Sequence, residues 1–356
     1  MERINSPSDY FCESLYGEVY YSKELYLDEI MPHIYHSSFR VENFHFTNRI
    51  DLYSVADSDG RILMIDVGKE ELCGTSALDG IVNSTGSSWE NVDIFLTHLH
   101  DDHDGNIPYA IGQGVHTIWV GYVLPYDPKQ GDAFMTRTGI VRHEVDIKDM
   151  RNAFERQIRK RKDCESLGSN MREVKPGSIF TIAGYSLEAI STPGHSQEHM
   201  SLLERDKGFM LTGDHILDAA PGIMQFDEGS SALFPFLESL NDIRSMQLEA
   251  LFLSHHAPVI GKRRVYDFIS KQISSYKKPI HDIAEMVAKS KSSDIYEMAA
   301  RYYERKDERK FLNLNGLMRL RKVSIMYGYL DFLVEVGYAK RHTSSDGRFM
   351  YESVSM

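Results

Sequence analysis

The run Val92-Asp93-Ile94-Phe95-Leu96-Thr97 is followed at once by His98-Leu99-His100-Asp101-Asp102-His103. A short apolar run bounded by turn formers reads as a buried strand. The loop leaving it then presents three imidazoles and two carboxylates at the edge of a rigid scaffold, where functional groups tend to sit. Crowding so many lone-pair donors is costly unless a cation or hydrogen-bond partners take them up. Imidazole with carboxylate is the ligand set of zinc and its first-row neighbours. The plain alternative is a histidine-rich surface loop that binds nothing. The recurrence of matching donors farther along the chain speaks against it.

Those donors also come after apolar runs. Tyr185–Ile190 leads into Ser191-Thr192-Pro193-Gly194-His195, a tight turn. Gly208–Thr212 leads into Gly213-Asp214-His215, and Ala250–Ser254 into His255-His256-Ala257-Pro258. Each cluster alone is weak, but four clusters at strand ends form one pattern. A hairpin is expected over Leu52–Ala56 and Arg61–Asp66, joined by Asp57-Ser58-Asp59-Gly60. Thr117–Val120 reads as another strand, with helices expected within Lys69–Asn83 and Asp242–Gln247. This alternation favours layered sheets covered by helices.

Net charge is −12 over 356 residues, from 40 basic and 52 acidic side chains. Such a chain is a poor generic nucleic-acid binder, because that affinity comes mostly from neutralising phosphates. Cys12, Cys73 and Cys164 lie far apart with no CxxC spacing, so reduced thiols and a cytoplasmic setting are expected. The opening residues Met1–Pro7 lack a secretory pattern, and no apolar run approaches a membrane span.

Residues 1–40 read as an N-terminal extension and a candidate homodimer contact. Residues 130–175 form a polar excursion holding Arg151, Arg156, Arg159, Lys160, Arg161 and Lys162. That basic stretch is either a solvated face or a clamp for an anionic substrate. Composition shifts near 290, dividing the chain into a main domain, 1–290, and a tail domain, 291–356. In the tail, helical segments Asp294–Glu304 and Met318–Val336 precede Gly337–Arg341 and Arg348–Tyr351, which flank Ser344-Ser345-Asp346-Gly347. Helices followed by an Asp-Gly hairpin form a winged-helix pattern. Its basic residues are Arg319, Arg321, Lys322, Lys340, Arg341 and Arg348.

The set His98-x-His100-x-Asp102-His103, Pro193-Gly194-His195, Gly213-Asp214 and a late histidine resembles the metallo-β-lactamase superfamily over about residues 40–285. With the tail, Gly213–Leu217 and Phe236–Leu240 resemble its winged-helix subgroup, which holds glyoxalase II-like hydrolases and an endoribonuclease. The resemblance implies an α/β fold, an αββα sandwich with a C-terminal winged-helix domain. It implies that His98, His100 and His195 hold one divalent metal and that Asp102, His103 and His256 hold a second, with Asp214 bridging. Relatives usually carry Gly-His-Gly-Pro at the last motif. Aligning Pro258 with the family proline selects His256 and leaves His255 as the alternative. Asp66 and His199 are implied as supports beside the ligands. Asp214, where the dizinc β-lactamases use cysteine, and His100, where flavodiiron proteins use an acid, favour zinc, with manganese or iron as alternatives.

The same resemblance implies a hydrolase acting through a metal-bridging hydroxide on a small molecule, most simply a thioester, ester or lactone with an anionic group. Asp102 is expected to orient the nucleophile and His215 to protonate a leaving group. Met224, Phe226 and Phe234, with Phe236, either line a pocket mouth as substrate contacts or pack against the tail. The competing functions are a single-strand endoribonuclease and a DNA-binding regulator with a metal site.

Overall fold

A computed structural model describes residues 27–40, 49–69, 74–125, 127–143, 147–155, 170–218, 220–229, 231–290, 292–305 and 311–354. Much of the expected N-terminal extension, and Arg156, Arg159, Lys160, Arg161 and Lys162 of the basic stretch, lie outside them. The chain divides into two compact units. The first takes residues 1–123, 167–219 and 239–272; the second takes 124–166, 220–238 and 273–356.

Among the described residues of the first unit, two sheets form. The first is laid down in chain order: β1 Asp28–Met31, β2 Ile34–Arg40, β3 Arg49–Ala56, β4 Ile62–Ile65, β5 Val92–Phe95, β6 Thr117–Val120 and β7 Met171–Glu173. Strands β3 and β4 form the expected hairpin around Asp57–Gly60, and β4 through β7 are parallel. All four residues of β4 are buried. Burial on both faces explains why β4 reads as an unbroken apolar run rather than as alternation.

The second sheet holds β8 Ile179–Ile182, β9 Tyr185–Ser191, β10 Met200–Glu204, β11 Phe209–Leu211, β12 Ala250–Leu253 and β13 His256–Ile260. Its spatial order is β13-β12-β11-β10-β9-β8. The inner faces of the two sheets share one core, in which Tyr53, Leu63, Ile65 and Phe95 meet Leu187, Leu202, Leu211 and Phe252. Burying each such large side chain contributes about 1.5–3 kcal/mol. The result is the mixed α/β sandwich that the resemblance implies.

Strand direction positions the donors. In the second sheet β9 and β11 each run antiparallel to β10, and β12 runs parallel to β11. The C-terminal ends of β9, β11 and β12 therefore lie on one edge, and His195, Asp214 and His255 follow those three ends. In the first sheet β4 and β5 are parallel, so Asp66 and the His98–His103 segment leave the same edge of that sheet. The helix expected within 69–83 spans Ser76–Ser84, and the one expected at 242–247 is longer, Leu233–Ser245.

The second unit has its own core, in which Phe134, Met150 and Phe154 of the polar excursion pack with Ile295, Tyr302, Leu320, Tyr327 and Phe349. Helices Ile295–Arg305 and Gly316–Glu335 are followed by a hairpin, and a short strand before them, β14 Ser293–Asp294, joins its edge. The hairpin strands are β15 Ala339–Thr343 and β16 Phe349–Ser353, with β14 paired to β16. Asp331 is buried and accepts from Arg341 Nη1 at 2.8 Å, Tyr351 Oη at 2.6 Å and Gln225 Nε2 at 2.7 Å.

Candidate metal centre

Strand β5 ends at Phe95, and Thr97 is then pinned twice to Asp66. The Thr97 N–H donates to Oδ1 and its hydroxyl to Oδ2, both at 2.8 Å. Asp66 sits at φ 61°, a conformation costly for an L residue and repaid by these bonds. His100 is extended, and a single helical turn, Asp101–Asp104, places Asp102 and His103. Asp66 Oδ2 also meets His103 Nδ1 at 2.8 Å. That contact fixes the ring and turns His103 Nε2 inward, where it is buried with no hydrogen-bond partner. A carboxylate holding the far nitrogen of an imidazole is the usual support for a metal-ligating histidine.

Two donor groups result. His98, His100, His195 and Asp214 form one; Asp102, His103, Asp214 and His255 form the other. In the first, His98 Nε2 and His195 Nε2 each lie 2.9 Å from His100 Nδ1. In the second, His255 Nε2 lies 3.1 Å from Asp102 Oδ2 and 3.2 Å from Asp214 Oδ1. Asp214 belongs to both, with Oδ2 at 3.4 Å from His195 Nε2 and Oδ1 at 3.4 Å from His103 Nε2. Asp214 Oδ1 is buried with no hydrogen-bond partner.

One expectation is corrected here. His255, not His256, joins the cluster. His256 opens β13, its Nδ1 lies 2.6 Å from its neighbour Ala257 O, and its ring rests edge-on against Phe268. His255 occupies the turn before that strand, and its Nδ1 meets Arg49 O at 2.9 Å, aiming Nε2 at the two carboxylates.

Charge divides the two groups. Burial, reinforced by the neighbouring imidazoles, holds His98 well below its ordinary pKa and lowers His195 to about 3. Both shifts favour the neutral ring, the form that can offer a lone pair to a cation. In the other group burial opposes the charged imidazole, but Asp214 and Asp102 outweigh it. They raise His103 well above its usual value and His255 to about 10. Burial likewise opposes ionisation of Asp102, and His103 and His255 outweigh it, bringing that carboxyl to about 2. Positive charge is thus wanted between the carboxylates. Converging imidazoles, a shared carboxylate and partnerless inward-facing atoms fit divalent cations.

Other residues expected at the site lie outside the two donor groups. His199 Nε2 accepts from the Asp214 N–H at 3.1 Å, and its Nδ1 meets Thr192 Oγ1 at 2.8 Å. His215 is fully buried; its Nε2 lies 2.7 Å from Ser239 Oγ, and its carbonyl accepts from Gln272. Gly213 has φ 52°, and a Cβ there would stand 2.7 Å from Thr97 and 2.8 Å from His199 Nε2. Sequence reasoning passes over Glu198, whose carboxylate accepts the Leu99 N–H at 3.2 Å inside the histidine-rich loop. No motif marks a bond across 99 residues. Phe226 and Phe234 belong to the second unit, where Phe226 lies 5.7 Å from Phe134 and Phe234 lies 6.2 Å from Phe332, ring centre to ring centre. Met224 is in that unit as well.

Comparison with known proteins agrees with this architecture. Residues 55–255 match the family model described as metallo-beta-lactamase superfamily, and the chain belongs to that superfamily. It is 25% identical over 202 residues to an atrochrysone carboxyl ACP thioesterase of Aspergillus fumigatus, covering 55% of this chain and 35% of that one. It is 27% identical over 165 residues to the lactamase-like protein nscB of Neosartorya fischeri, covering 46% and 37%. The matches thus span little more than a third of these relatives' length. In fold, the chain superposes on a beta-lactamase domain protein from Burkholderia ambifaria with a TM-score of 0.67 at 16% identity, over 95% of this chain and 97% of that one. A metallo-beta-lactamase family protein from Thermus thermophilus gives 0.62 at 17% identity, over 91% and 100%. No described helix is long and apolar enough to cross a membrane.

Proposed function

We propose that the chain is a dinuclear-metal hydrolase of a small acyl substrate, a thioester before an ester or lactone. The observation that carries this is a pair of four-donor groups that share Asp214. His98, His100 and His195 would hold one divalent ion and Asp102, His103 and His255 the other, with zinc best matched by the nitrogen and oxygen donors. When bound, such a pair supplies Lewis-acid polarisation of a substrate oxygen and lowers the pKa of a water from about 15.7 towards 7. Asp66 and His199 hold His103 and Asp214 in place. Asp102, at the rim of the shared group, orients the attacking oxygen. His215, buried and held by Ser239 and Gln272, acts indirectly rather than as the leaving-group acid. The thioester preference draws support from the thioesterase among the relatives.

We read residues 291–356 as winged-helix-like, on the order helix, helix, hairpin, without a DNA-reading role. Four of the six basic residues such a role would present are engaged elsewhere. Arg319 is buried and donates to Leu312 O and Leu314 O. Arg341 pairs with Asp331, Arg348 with Asp294, and Lys322 sits 4.3 Å over the ring of Tyr303. A panel of acyl-thioesters, esters, lactones and phosphodiesters, followed with and without a chelator, tests the assignment. Chelator-sensitive release of a free thiol is expected. Metal-loaded protein that cleaves an unstructured oligonucleotide and no acyl substrate would overturn it.

A further inference from the structure

A buried ionic cluster lies beside the metal centre without belonging to it. Asp51 on β3 is 1% exposed. Its carboxylate accepts from His36 Nε2 at 2.7 Å and from Arg49 Nε at 2.6 Å, with a second contact to the Arg49 guanidinium. His36 lies on the adjacent strand β2 and stacks on Tyr53 at 4.9 Å and 17°. Charges buried this deeply are expensive and are usually tied to some geometric requirement. Here the same stretch of β3 grips three successive residues, the last of β12 and the two that follow it. Tyr53 Oη donates to Leu253 O at 3.1 Å, the Asp51 N–H donates to Ser254 O at 2.7 Å, and Arg49 O takes His255 Nδ1 at 2.9 Å.

We infer that Asp51, with Arg49 and His36, is a positioning residue that fixes the β3 backbone so that Arg49 O and the Asp51 N–H lock His255 facing Asp102 and Asp214. The inference rests on the dinuclear reading above and deepens it: one ligand of one metal is set by a cluster on the opposite sheet. The physical cause is local. The bidentate Arg49–Asp51 contact holds two residues of the same strand, and His36 cross-links them to β2. The carbonyl of residue 49 is therefore not free to drift from the imidazole. No motif announces this, because Arg49 and His255 are 206 residues apart.

The test is a Co2+ titration of metal-free protein against a competing chelator, read by the visible absorption of the bound ion, with urea midpoints measured alongside. Wild type should bind two equivalents, and His255→Ala identifies which one the second group holds. In Asp51→Asn that same equivalent should weaken by about 10–100-fold, the usual cost of losing a residue that orients a ligand. The other equivalent should stay within about threefold. Tyr53→Phe keeps the aromatic stack and removes only the bond to Leu253 O. It should weaken the same equivalent by about fivefold, which is one ordinary hydrogen bond, and it serves even where Asp51→Asn does not fold. Arg49→Lys should weaken the same equivalent as well, since lysine lacks the fork. Equal weakening of both equivalents, or of neither, would overturn the positioning role. A wild-type chain that takes up no Co2+ would instead overturn the dinuclear reading beneath it.

Discussion

Gly213→Ala isolates how tightly the bridging position is built. The residue has φ 52°, and a methyl group would sit 2.7 Å from Thr97 Cβ and Oγ1 and 2.8 Å from His199 Nε2. Neither neighbour is free to retreat. Thr97 is bonded twice to Asp66, and His199 is held by Thr192 and receives the Asp214 N–H. The left-handed backbone alone costs an alanine about 1–2 kcal/mol. Forcing a methyl into a packed site adds about 1–3 kcal/mol. The sum is about 2–5 kcal/mol of lost stability. Gly114→Ala supplies the control. Gly114 has φ 95° at the end of the helix Ile107–Gln113, with nothing within 4 Å of the added Cβ. It should show the backbone cost alone, about 1–2 kcal/mol. Urea unfolding of metal-free protein measures both, and zinc uptake should fall in the Gly213 variant only. Equal losses in the two variants, or a Gly213 variant with normal zinc affinity, would refute the reasoning.

Other consequences are as specific. His255→Ala should lose one metal equivalent by competition assay while His256→Ala keeps both; the reverse result would return the ligand role to His256. Asp66→Asn replaces a carboxylate that serves both Thr97 and His103, and chelator competition should show about 10–100-fold weaker metal binding. Burial raises the Asp51 carboxyl, but His36 and Arg49 outweigh it and hold the folded value below 3.8. A carboxyl depressed on folding stabilises above its unfolded pKa and loses that contribution as the pH falls towards the folded value. The gap in urea midpoint between wild type and Asp51→Asn, widest near neutrality, should therefore close as the pH drops through 3.8; a gap that widens in acid would contradict the sign.

What the sequence reveals and what it hides follow from the range of the interactions. Strands β4 and β12 are legible because burial on both faces writes an unbroken apolar run. The donors are legible because parallel strands deliver their loops to one edge, so a histidine or aspartate after each run is a spatial statement. Between His255 and His256, aligning Pro258 selects His256, whereas the donor cluster takes in His255. Only the end of β12 and the start of β13 show that residue 255 is the turn and residue 256 the first of a strand. Gly213 stands in a motif, yet the reason for it, a close approach to Thr97 and His199, is invisible in one dimension. The Asp51 cluster is hidden for the same reason: its components look like ordinary charges on a strand. The three separate stretches that build the second unit likewise come together by packing among distant apolar residues, which leaves no local period to read.

The central claim is that the edge where these strands end holds two cations through one shared aspartate. Elemental analysis of gently purified protein, paired with Asp214→Ala, tests it most directly. Wild type should carry about two transition-metal ions per chain and the variant should lose affinity at both positions, since its carboxylate belongs to both groups. A wild-type chain devoid of transition metal, or an Asp214 variant that keeps both ions, would contradict the account.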